Sequence, residues 1–403
     1  MFISSPSQLI RYFDGSSPPI KYGDFLKQTK VKTGRGELVS LQEYIKNKNI
    51  TTENLQNIYS HIKGRNDYLE RFYKTSLEIN PNDIVGNIHI YPTMTANHLN
   101  NDSHPNMKKI IRNMFWKEIL RNSTSGLSNI PTFMRVLDDL YKHNIIDYKL
   151  LTPSASYYIA EGRIGSVFSS FYFRASIMNP YLVYSLAESV LFRGMNTSAI
   201  SASGGNGFSV FTPTMGWGSY YYGFAETGRV NKYTGIDVIP SVCNKMAKFS
   251  QKYYPSINTV IYCKPSEDLA VSSTFMSQHR GKYDVVFFSP PYFQMELYED
   301  NGKTQSTTRY KTYEEWLEKY WDVTIRMCSQ VLKPGGKCCY IISGYGTVSS
   351  TSQPKEEQYK LIHDMNEITK KYLTHKKTYN MNNKNSNMTK HTETDEKIVL
   401  FEK

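Results

Sequence analysis

Gly207-Phe-Ser-Val-Phe-Thr212-Pro-Thr-Met-Gly216-Trp-Gly218 is the stretch that decides the fold. Its first half combines β-branched and aromatic residues, which favour a strand. Its second half is a glycine-rich turn that leads into a predicted helix from Ser219 to about Thr227. Glycines at the end of a first strand let the backbone approach a ligand closely, because no Cβ stands in the way. The stretch therefore predicts the first strand, turn and helix of an α/β sheet.

Two further strands are predicted to end in acidic residues. Tyr233-Thr-Gly-Ile-Asp237 ends about twenty residues after the glycine turn, at the place where a carboxylate typically accepts hydrogen bonds from ribose hydroxyls. Val260-Ile-Tyr-Cys263 is followed by Glu267 and Asp268. A strand-end Asp is also common as a helix cap, and both interpretations of Asp268 stay open. The order of strand, turn, helix and acid predicts a doubly wound sheet that holds a nucleoside.

A fourth strand, Asp284-Val-Val-Phe-Phe288, stops abruptly at Ser289-Pro290-Pro291-Tyr292. Two consecutive prolines cannot continue a β-ladder, and they freeze a rigid extended turn. Open α/β sheets bind their ligands at the carboxyl ends of their strands, which is where this turn lies. The turn is therefore a candidate catalytic element that holds a hydroxyl, two carbonyls and a ring in fixed positions.

The rest of the second half completes the sheet. Thr312-Tyr-Glu-Glu315 has the spacing of a capping box and predicts the start of a helix, which Leu332-Lys-Pro-Gly-Gly336 ends. Strands are predicted at Lys337–Ser343 and Lys397–Phe401. The polar segment from about Ser349 to Thr394 is predicted to be partly helical and partly loop.

The N-terminal part, residues 1–150, is predicted to form a mainly helical accessory domain that could also recognise the nucleic acid, followed by the α/β domain over residues 151–403. Helices are predicted after Pro131 and from about Asn106 to Arg121, where apolar residues recur at helical spacing. The cations that lie off this apolar stripe could contact phosphates or could form an ordinary solvated face: they are Lys108, Lys109 and Arg112.

Composition narrows the function classes. The net charge of +12 favours a polyanionic partner such as a nucleic acid, although a basic surface can also serve solubility alone. Five scattered cysteines form neither a metal-binding spacing nor a disulfide framework, so no metal site is predicted and a reducing, intracellular compartment fits best. The sequence shows no secretion signal and no apolar run long enough to span a bilayer.

The motifs, in their order and spacing, resemble those of S-adenosylmethionine-dependent amino-methyltransferases, which methylate N4 of cytosine or N6 of adenine in nucleic acids. The residues that carry the resemblance are Gly216-Trp217-Gly218, Asp237, Glu267-Asp268, Ser289-Pro290-Pro291-Tyr292 and Leu332-Lys-Pro-Gly-Gly336. Phe-Ser-Pro-Pro-Tyr-Phe293 together with Tyr313-Glu-Glu-Trp-Leu317 looks like the phage and large-virus DNA methyltransferase branch. The resemblance spans about residues 155 to 345.

The resemblance implies a Rossmann-like, seven-stranded methyltransferase sheet and S-adenosylmethionine as the cofactor. The Ser289 hydroxyl and the Pro290 carbonyl would accept the two hydrogens of the base amine, and Pro291 would keep the turn rigid. Tyr292 would stack on a base that has flipped out of the duplex. No metal and no covalent intermediate is needed.

The family also implies cofactor contacts. The turn of Gly216, Trp217 and Gly218 would pass beneath the methionine part, Asp237 would bind the ribose, and Glu267 or Asp268 would lie near the adenine. Arg163, Gly165 and Ser166 resemble the loop that helps to hold the methionine carboxylate, although such a loop alone is a weak signal. Thr212 is a departure, because the family usually has an acidic residue there that counters the cofactor's positive groups.

These considerations predict methylation of a base amine in DNA, with the host cytoplasm as the compartment if the protein is viral. Two alternatives stay open: an RNA base-amine methyltransferase, and a non-catalytic methyltransferase-fold subunit that binds nucleic acid or an assembly partner. The Ser form of the turn leans toward cytosine without excluding adenine.

Overall fold

The structure is a computed structural model, and contacts group its described residues into two units. Unit 1 contains residues 3–77 and 132–162, and unit 2 contains the segments from residue 99 to 115 and from residue 177 to the end. The segment 132–162, which crosses the sequence-based boundary at residue 150, thus groups with unit 1. The described residues are 3, 5–16, 18, 21–77, 99, 104–115, 132–162, 177–195, 207–293, 304–343, 359–381 and 396–403.

Unit 1 is mainly helical. A small sheet of β1 (Lys30–Lys32), β2 (Leu38–Ser40) and β3 (Ile145–Asp147) has the order β2-β1-β3 and lies beside the helices. A single apolar core joins the helices through side chains such as Leu9, Phe72 and Leu137. The α-helices of unit 1 are Pro6–Tyr12, Tyr22–Gln28, Leu41–Lys48, Thr52–Ile62, Arg65–Phe72, Thr132–Lys142 and Pro153–Ala160.

Local capping explains where several of these helices begin. The side chains of Ser5, Ser40 and Thr51 each accept a hydrogen bond from the backbone amide three residues later. Each bond satisfies one of the amides that a helix start leaves without an intrahelical partner. The helix predicted after Pro131 is confirmed as Thr132–Lys142.

Unit 2 is built on a seven-stranded sheet of order β6-β5-β4-β7-β8-β10-β9. Its first five strands along the chain pair in parallel, and β10 pairs antiparallel with both β8 and β9. The sheet confirms the predicted doubly wound, Rossmann-like α/β class. The strands are β4 (Phe208–Thr212), β5 (Val230–Asp237), β6 (Asn258–Cys263), β7 (Tyr283–Phe288), β8 (Leu332–Ile342), β9 (Thr374–Asn380) and β10 (Lys397–Glu402).

The central strands β4 and β7 lie side by side, and the chain leaves them toward opposite edges of the sheet. Such a reversal of strand order opens a crevice beyond the carboxyl ends of the two strands. Every residue of β4 is buried, as expected for a strand covered on both faces. The glycine turn and the Ser-Pro-Pro-Tyr turn follow these two strands directly.

Helices accompany the strands of unit 2, and the helix predicted from about Asn106 is present here over Pro105–Met114. The helix predicted at Ser219 is confirmed over Ser219–Ala225. None of the helices within the described ranges is both long and apolar enough to cross a membrane. The other α-helices are Pro180–Leu186, Pro240–Tyr253, Ser266–Ala270, Ser273–His279, Ser306–Arg309, Tyr313–Trp316, Val323–Val331 and Leu361–Lys370.

Two details of the sheet differ from the prediction. Strand β8 begins at Leu332 instead of Lys337, because Leu332 already pairs with Tyr283 before the register shifts at the glycines. Strand β9 lies within the segment predicted to be helix and loop. Most of its side chains are exposed, so it lacks the apolar alternation by which a strand is recognised.

Candidate active site

The glycine turn after β4 depends on two left-handed glycines. Gly216 has φ of 60° and Gly218 has φ of 86°, a region that residues with a Cβ rarely adopt. A Cβ on Gly218 would also overlap the Met246 sulfur and lie 3.0 Å from the Phe115 ring. The turn therefore needs glycine both for its backbone conformation and for the close packing beneath it.

Asp237, at the end of β5, holds this turn. Its Oδ2 accepts a hydrogen bond from the Gly216 amide at 2.9 Å. Its Oδ1 accepts from the amides of Val238 at 2.8 Å and Ile239 at 3.2 Å. Asp237, the residue predicted to bind the ribose, is thus a nearly buried carboxylate whose oxygens are already oriented by three backbone amides.

The acidic pair after β6 is held by a cation. Arg309 donates to Glu267 at 2.9 Å and to Asp268 at 2.6 Å. Burial raises the pKa of the Glu267 carboxyl, and the positive charge of Arg309 acts in the opposite direction. Next to them, the Ser266 hydroxyl donates to the carbonyl of Pro213 in the glycine turn. Asp268 does not cap a helix by its own side chain, since it lies inside Ser266–Ala270.

In the Ser-Pro-Pro-Tyr turn, the first and last side chains meet. The hydroxyls of Ser289 and Tyr292 lie 2.8 Å apart. The Ile341 carbonyl at the end of β8 accepts from Ser289 at 3.1 Å and from Tyr292 at 3.2 Å. Pro290 and the Tyr292 ring are buried, whereas Ser289 and Pro291 are half-buried. The turn is thereby anchored to the neighbouring strand.

Tyr220 connects the two turns, and the sequence did not single it out. Its hydroxyl accepts a hydrogen bond from the Ser289 amide at 3.2 Å. Its ring packs edge-on against Phe287 and lies close to Gly216. Three consecutive tyrosines follow Ser219, and nothing in their spacing tells which of them faces Ser289.

Thr212 is fully buried at the end of β4. Its hydroxyl lies 2.7 Å from the hydroxyl of Tyr233, a residue whose pKa is raised by burial. The Thr212 side chain therefore forms a neutral, enclosed pair with a tyrosine. Any contact of Thr212 with a cofactor stays a prediction.

Trp217, in the middle of the glycine turn, is 7% exposed, and its ring centroid lies 6.3 Å from that of Phe115. Phe115 follows the helix Pro105–Met114, and Lys245 donates to the Met114 carbonyl at 3.0 Å. The chain segment before residue 116 thus contributes to the packing of the turn. The loop predicted to hold the methionine carboxylate, with Arg163, Gly165 and Ser166, lies outside the described residues.

The glycine turn is the centre of the arrangement. It contacts Asp237 through Gly216, the acidic pair's segment through Pro213, and the Ser-Pro-Pro-Tyr turn through Tyr220. The carboxyl ends of neighbouring strands thus bring together carboxylates, a glycine turn with few Cβ atoms, and hydroxyl groups that can accept hydrogen bonds. This set can bind hydroxyls and amines, and can hold an amine close to a second bound molecule.

Comparisons with known proteins return solved structures only. No protein-family model and no curated protein matches the chain. The cyclase SpnF is 13% identical over 57% of this chain and 83% of its own, with a TM-score of 0.37. The N-methyltransferase NodS from Bradyrhizobium japonicum, in complex with S-adenosyl-L-homocysteine, is 13% identical over 51% and 83%, with a TM-score of 0.31.

A third solved structure is magnesium protoporphyrin IX methyltransferase from Synechocystis with bound S-adenosylmethionine. It is 14% identical over 55% of this chain and 79% of its own, with a TM-score of 0.31.

Proposed function

We propose that this chain transfers a methyl group from S-adenosylmethionine to the exocyclic amine of a DNA base, N4 of cytosine or N6 of adenine. The observation that carries the proposal is the junction of the glycine turn and the Ser-Pro-Pro-Tyr turn through Tyr220 and Ser289. The two turns follow adjacent strands, one suited to a nucleoside and one to an amine. They would therefore hold the methyl donor and the methyl-accepting amine side by side.

The residues of the crevice fit the cofactor in part. The left-handed glycines give a backbone free of Cβ atoms, and Asp237 offers oriented oxygens to ribose hydroxyls. Glu267, buried beside Arg309, would be the acceptor for the adenine amine of the cofactor. When bound, the cofactor supplies an electrophilic methyl group on a positively charged sulfur. Because Thr212 is uncharged and enclosed, the positive groups of the cofactor would need another counter-charge.

Ser289 is arranged as an acceptor. Its hydroxyl hydrogen has an acceptor in the Ile341 carbonyl at 3.1 Å, which leaves oxygen lone pairs for a base amine. The adjacent Pro290 carbonyl offers a second acceptor, fixed by the two proline rings. Holding both amine hydrogens would localise the nitrogen lone pair, which is otherwise delocalised into the base.

Tyr292 would serve the base through its ring. Its hydroxyl donates to the Ile341 carbonyl, which limits the freedom of the ring. Because the residue is only 6% exposed, a base that stacks on the ring would have to displace side chains that now cover it. Base stacking on an aromatic ring contributes about 1–3 kcal/mol and does not depend on sequence. A target in duplex DNA would have to leave the helix to reach this turn.

The test is to incubate the protein with labelled S-adenosylmethionine and with DNA or RNA, digest the polymer, and identify the methylated nucleoside. N4-methylcytosine or N6-methyladenine in DNA supports the proposal. Label in RNA alone would replace DNA by RNA as the substrate. Cofactor binding by calorimetry without transfer to either polymer would contradict the enzymatic function, and absence of cofactor binding would favour a non-catalytic subunit, for which the enclosed Thr212 gives a reason.

A further inference from the structure

Unit 1 contains a groove of about 440 Å³, a size within the range of about 300–1,000 Å³ that small-ligand sites occupy. Its apolar lining includes Ile50 and Leu151, and Tyr44 and Tyr148 line it as aromatic side chains. Lys48 and Asn54 add polar groups. The groove combines an apolar surface, aromatic rings and a few hydrogen-bonding groups, as sites for planar polar ligands do.

The two tyrosines are supported from behind. Both residues are partly buried, and both pack against the core of unit 1. Tyr148 also packs against the β1–β2 turn, where a Cβ on Gly34 would lie 3.3 Å from its ring. Rings held in this way lose little conformational freedom when a planar ligand stacks on them.

Two of the polar side chains that line the groove, those of Lys48 and Asn54, are available to a ligand. Within the described part of the chain, the Lys48 ammonium and the Asn54 side-chain amide make no hydrogen bond or ion pair, although the Asn54 backbone amide donates to Thr51. A side-chain amide offers one donor and one acceptor group, which complement the edge of a base. An exposed ammonium complements a phosphate.

From these observations we infer that the groove binds one nucleotide of a single-stranded nucleic acid. The base would stack on the rings of Tyr44 and Tyr148 with its edge toward Asn54, and the phosphate would lie at Lys48. The net charge of +12 favours such a polyanion over an uncharged ligand. The inference goes beyond methyl transfer, since the groove could bind a strand whether or not the chain is an enzyme.

Binding of a short fluorescein-labelled oligothymidylate, followed by fluorescence anisotropy without cofactor, tests the groove. Tyr148→Ala should raise the Kd about tenfold, because one stacking surface is lost. Lys48→Ala should weaken binding and reduce the slope of log K against log salt by about 0.7, the contribution of one phosphate contact on a single strand. Tyr148→Phe keeps the ring and should bind like the unchanged protein.

Matched controls come from the same unit. Tyr157 is 62% exposed and Lys63 is exposed, and neither lines the groove, so Tyr157→Ala and Lys63→Ala should leave the Kd unchanged. Lys48→Ala keeps the test decisive if Tyr148→Ala does not fold, because an exposed lysine has no role in the core.

Photocross-linking with a bromouracil-containing oligonucleotide gives a second, direct readout. Cross-links in peptides that contain Tyr44 or Tyr148 support the inference, and cross-links confined to other peptides overturn it. Equal affinity of Lys48→Ala and Lys63→Ala overturns it as well. Methyl transfer is assayed separately, so a groove that binds a strand in a protein without transferase activity would refute only the proposed function.

Discussion

The hydroxyl of Tyr220 accepts a hydrogen bond from the backbone amide of Ser289 at 3.2 Å. Tyr220 belongs to the helix that starts at the glycine turn, and Ser289 opens the Ser-Pro-Pro-Tyr turn. The bond therefore fixes the separation between the two halves of the candidate site. A displacement of about 1 Å between reacting groups is enough to slow an enzyme strongly.

Replacing Tyr220 by Phe tests this connection. The ring and its packing on Phe287 remain, and only the hydroxyl is lost. A single hydrogen bond contributes about 0.5–1.5 kcal/mol, so kcat should fall about 2- to 12-fold while the Kd for the cofactor changes little. Tyr222→Phe makes the same chemical change on the same helix and should leave kcat unaltered. A rise in cofactor Kd with constant kcat would show that Tyr220 serves the cofactor instead.

Ser289→Ala tests the acceptor role of the hydroxyl. Removing one preoriented hydrogen-bonding group from a catalytic site costs about 100-fold in rate, and a similar fall in transfer is expected here. Cofactor affinity, measured by calorimetry, should survive. A variant that keeps more than half of its transfer rate would contradict the acceptor role.

The two glycines of the turn should differ in their tolerance of alanine. Gly216→Ala introduces left-handed strain of about 1–2 kcal/mol, but its Cβ would stay 3.6 Å from the Tyr220 ring. Gly218→Ala introduces similar strain, and its Cβ would in addition overlap Met246. Overpacking of this kind costs about 1–3 kcal/mol more. Denaturant unfolding should therefore show a larger loss of stability for Gly218→Ala. Equal losses would contradict the packing beneath Gly218.

Thr212→Val separates a structural from a cofactor-binding role. Valine has nearly the same shape but leaves the Tyr233 hydroxyl without its 2.7 Å partner, which should lower the free energy of unfolding by about 1–3 kcal/mol. Because Thr212 is enclosed, the cofactor Kd should not change. A Kd increased tenfold or more would show that the threonine reaches the cofactor.

His279 should make stability depend on pH. Burial and the nearby charges of Lys232 and Lys282 lower its pKa to about 4, compared with 6.5 for an ordinary histidine. The unfolded chain therefore binds a proton between pH 6.5 and 4 that the folded chain does not. The contribution of His279 to stability is complete above pH 6.5 and is lost as the pH falls toward 4, by up to about 3 kcal/mol.

Denaturant unfolding of the unchanged protein and of His279→Gln between pH 4 and 7 measures this effect. Other titrating groups are common to both proteins, so the difference between their stabilities isolates His279. The variant should show the flatter pH dependence. Parallel curves would mean that the buried ring, which lies 3.0 Å from the Tyr262 hydroxyl, titrates normally.

The sequence predicted those strands of the sheet whose side chains are mostly buried. Strand β4 is buried throughout and consists of apolar and small residues between clear turn signals, so its pattern is strong. Strand β9 has almost only exposed side chains and joins the sheet through its backbone pairing with β10, with a few side-chain contacts such as that of His375 with Phe401. Backbone pairing leaves no mark on side-chain patterns, and this strand could not be predicted.

The sequence predicted the two turns of the candidate site but not the hydrogen bonds that join them to other residues. Glycines and prolines restrict the backbone by their own chemistry, so Gly216, Gly218 and the Ser289 turn were evident without a fold. The bonds from Tyr220 to Ser289 and from Arg309 to the acidic pair join residues that are far apart along the chain. Such pairings arise from tertiary packing, which a single sequence does not report.

Strand β9 forms the outer end of the sheet order and carries Lys376 and Lys377 among its exposed side chains. An open sheet edge offers unpaired amides and carbonyls to any other strand that approaches it. Two molecules that met along β9 would bring their Lys377 side chains toward each other and repel, whereas Lys376 is paired with Glu402 at 3.2 Å. Like charges of this kind oppose the pairing of one sheet edge with another, and added salt weakens the repulsion by screening it.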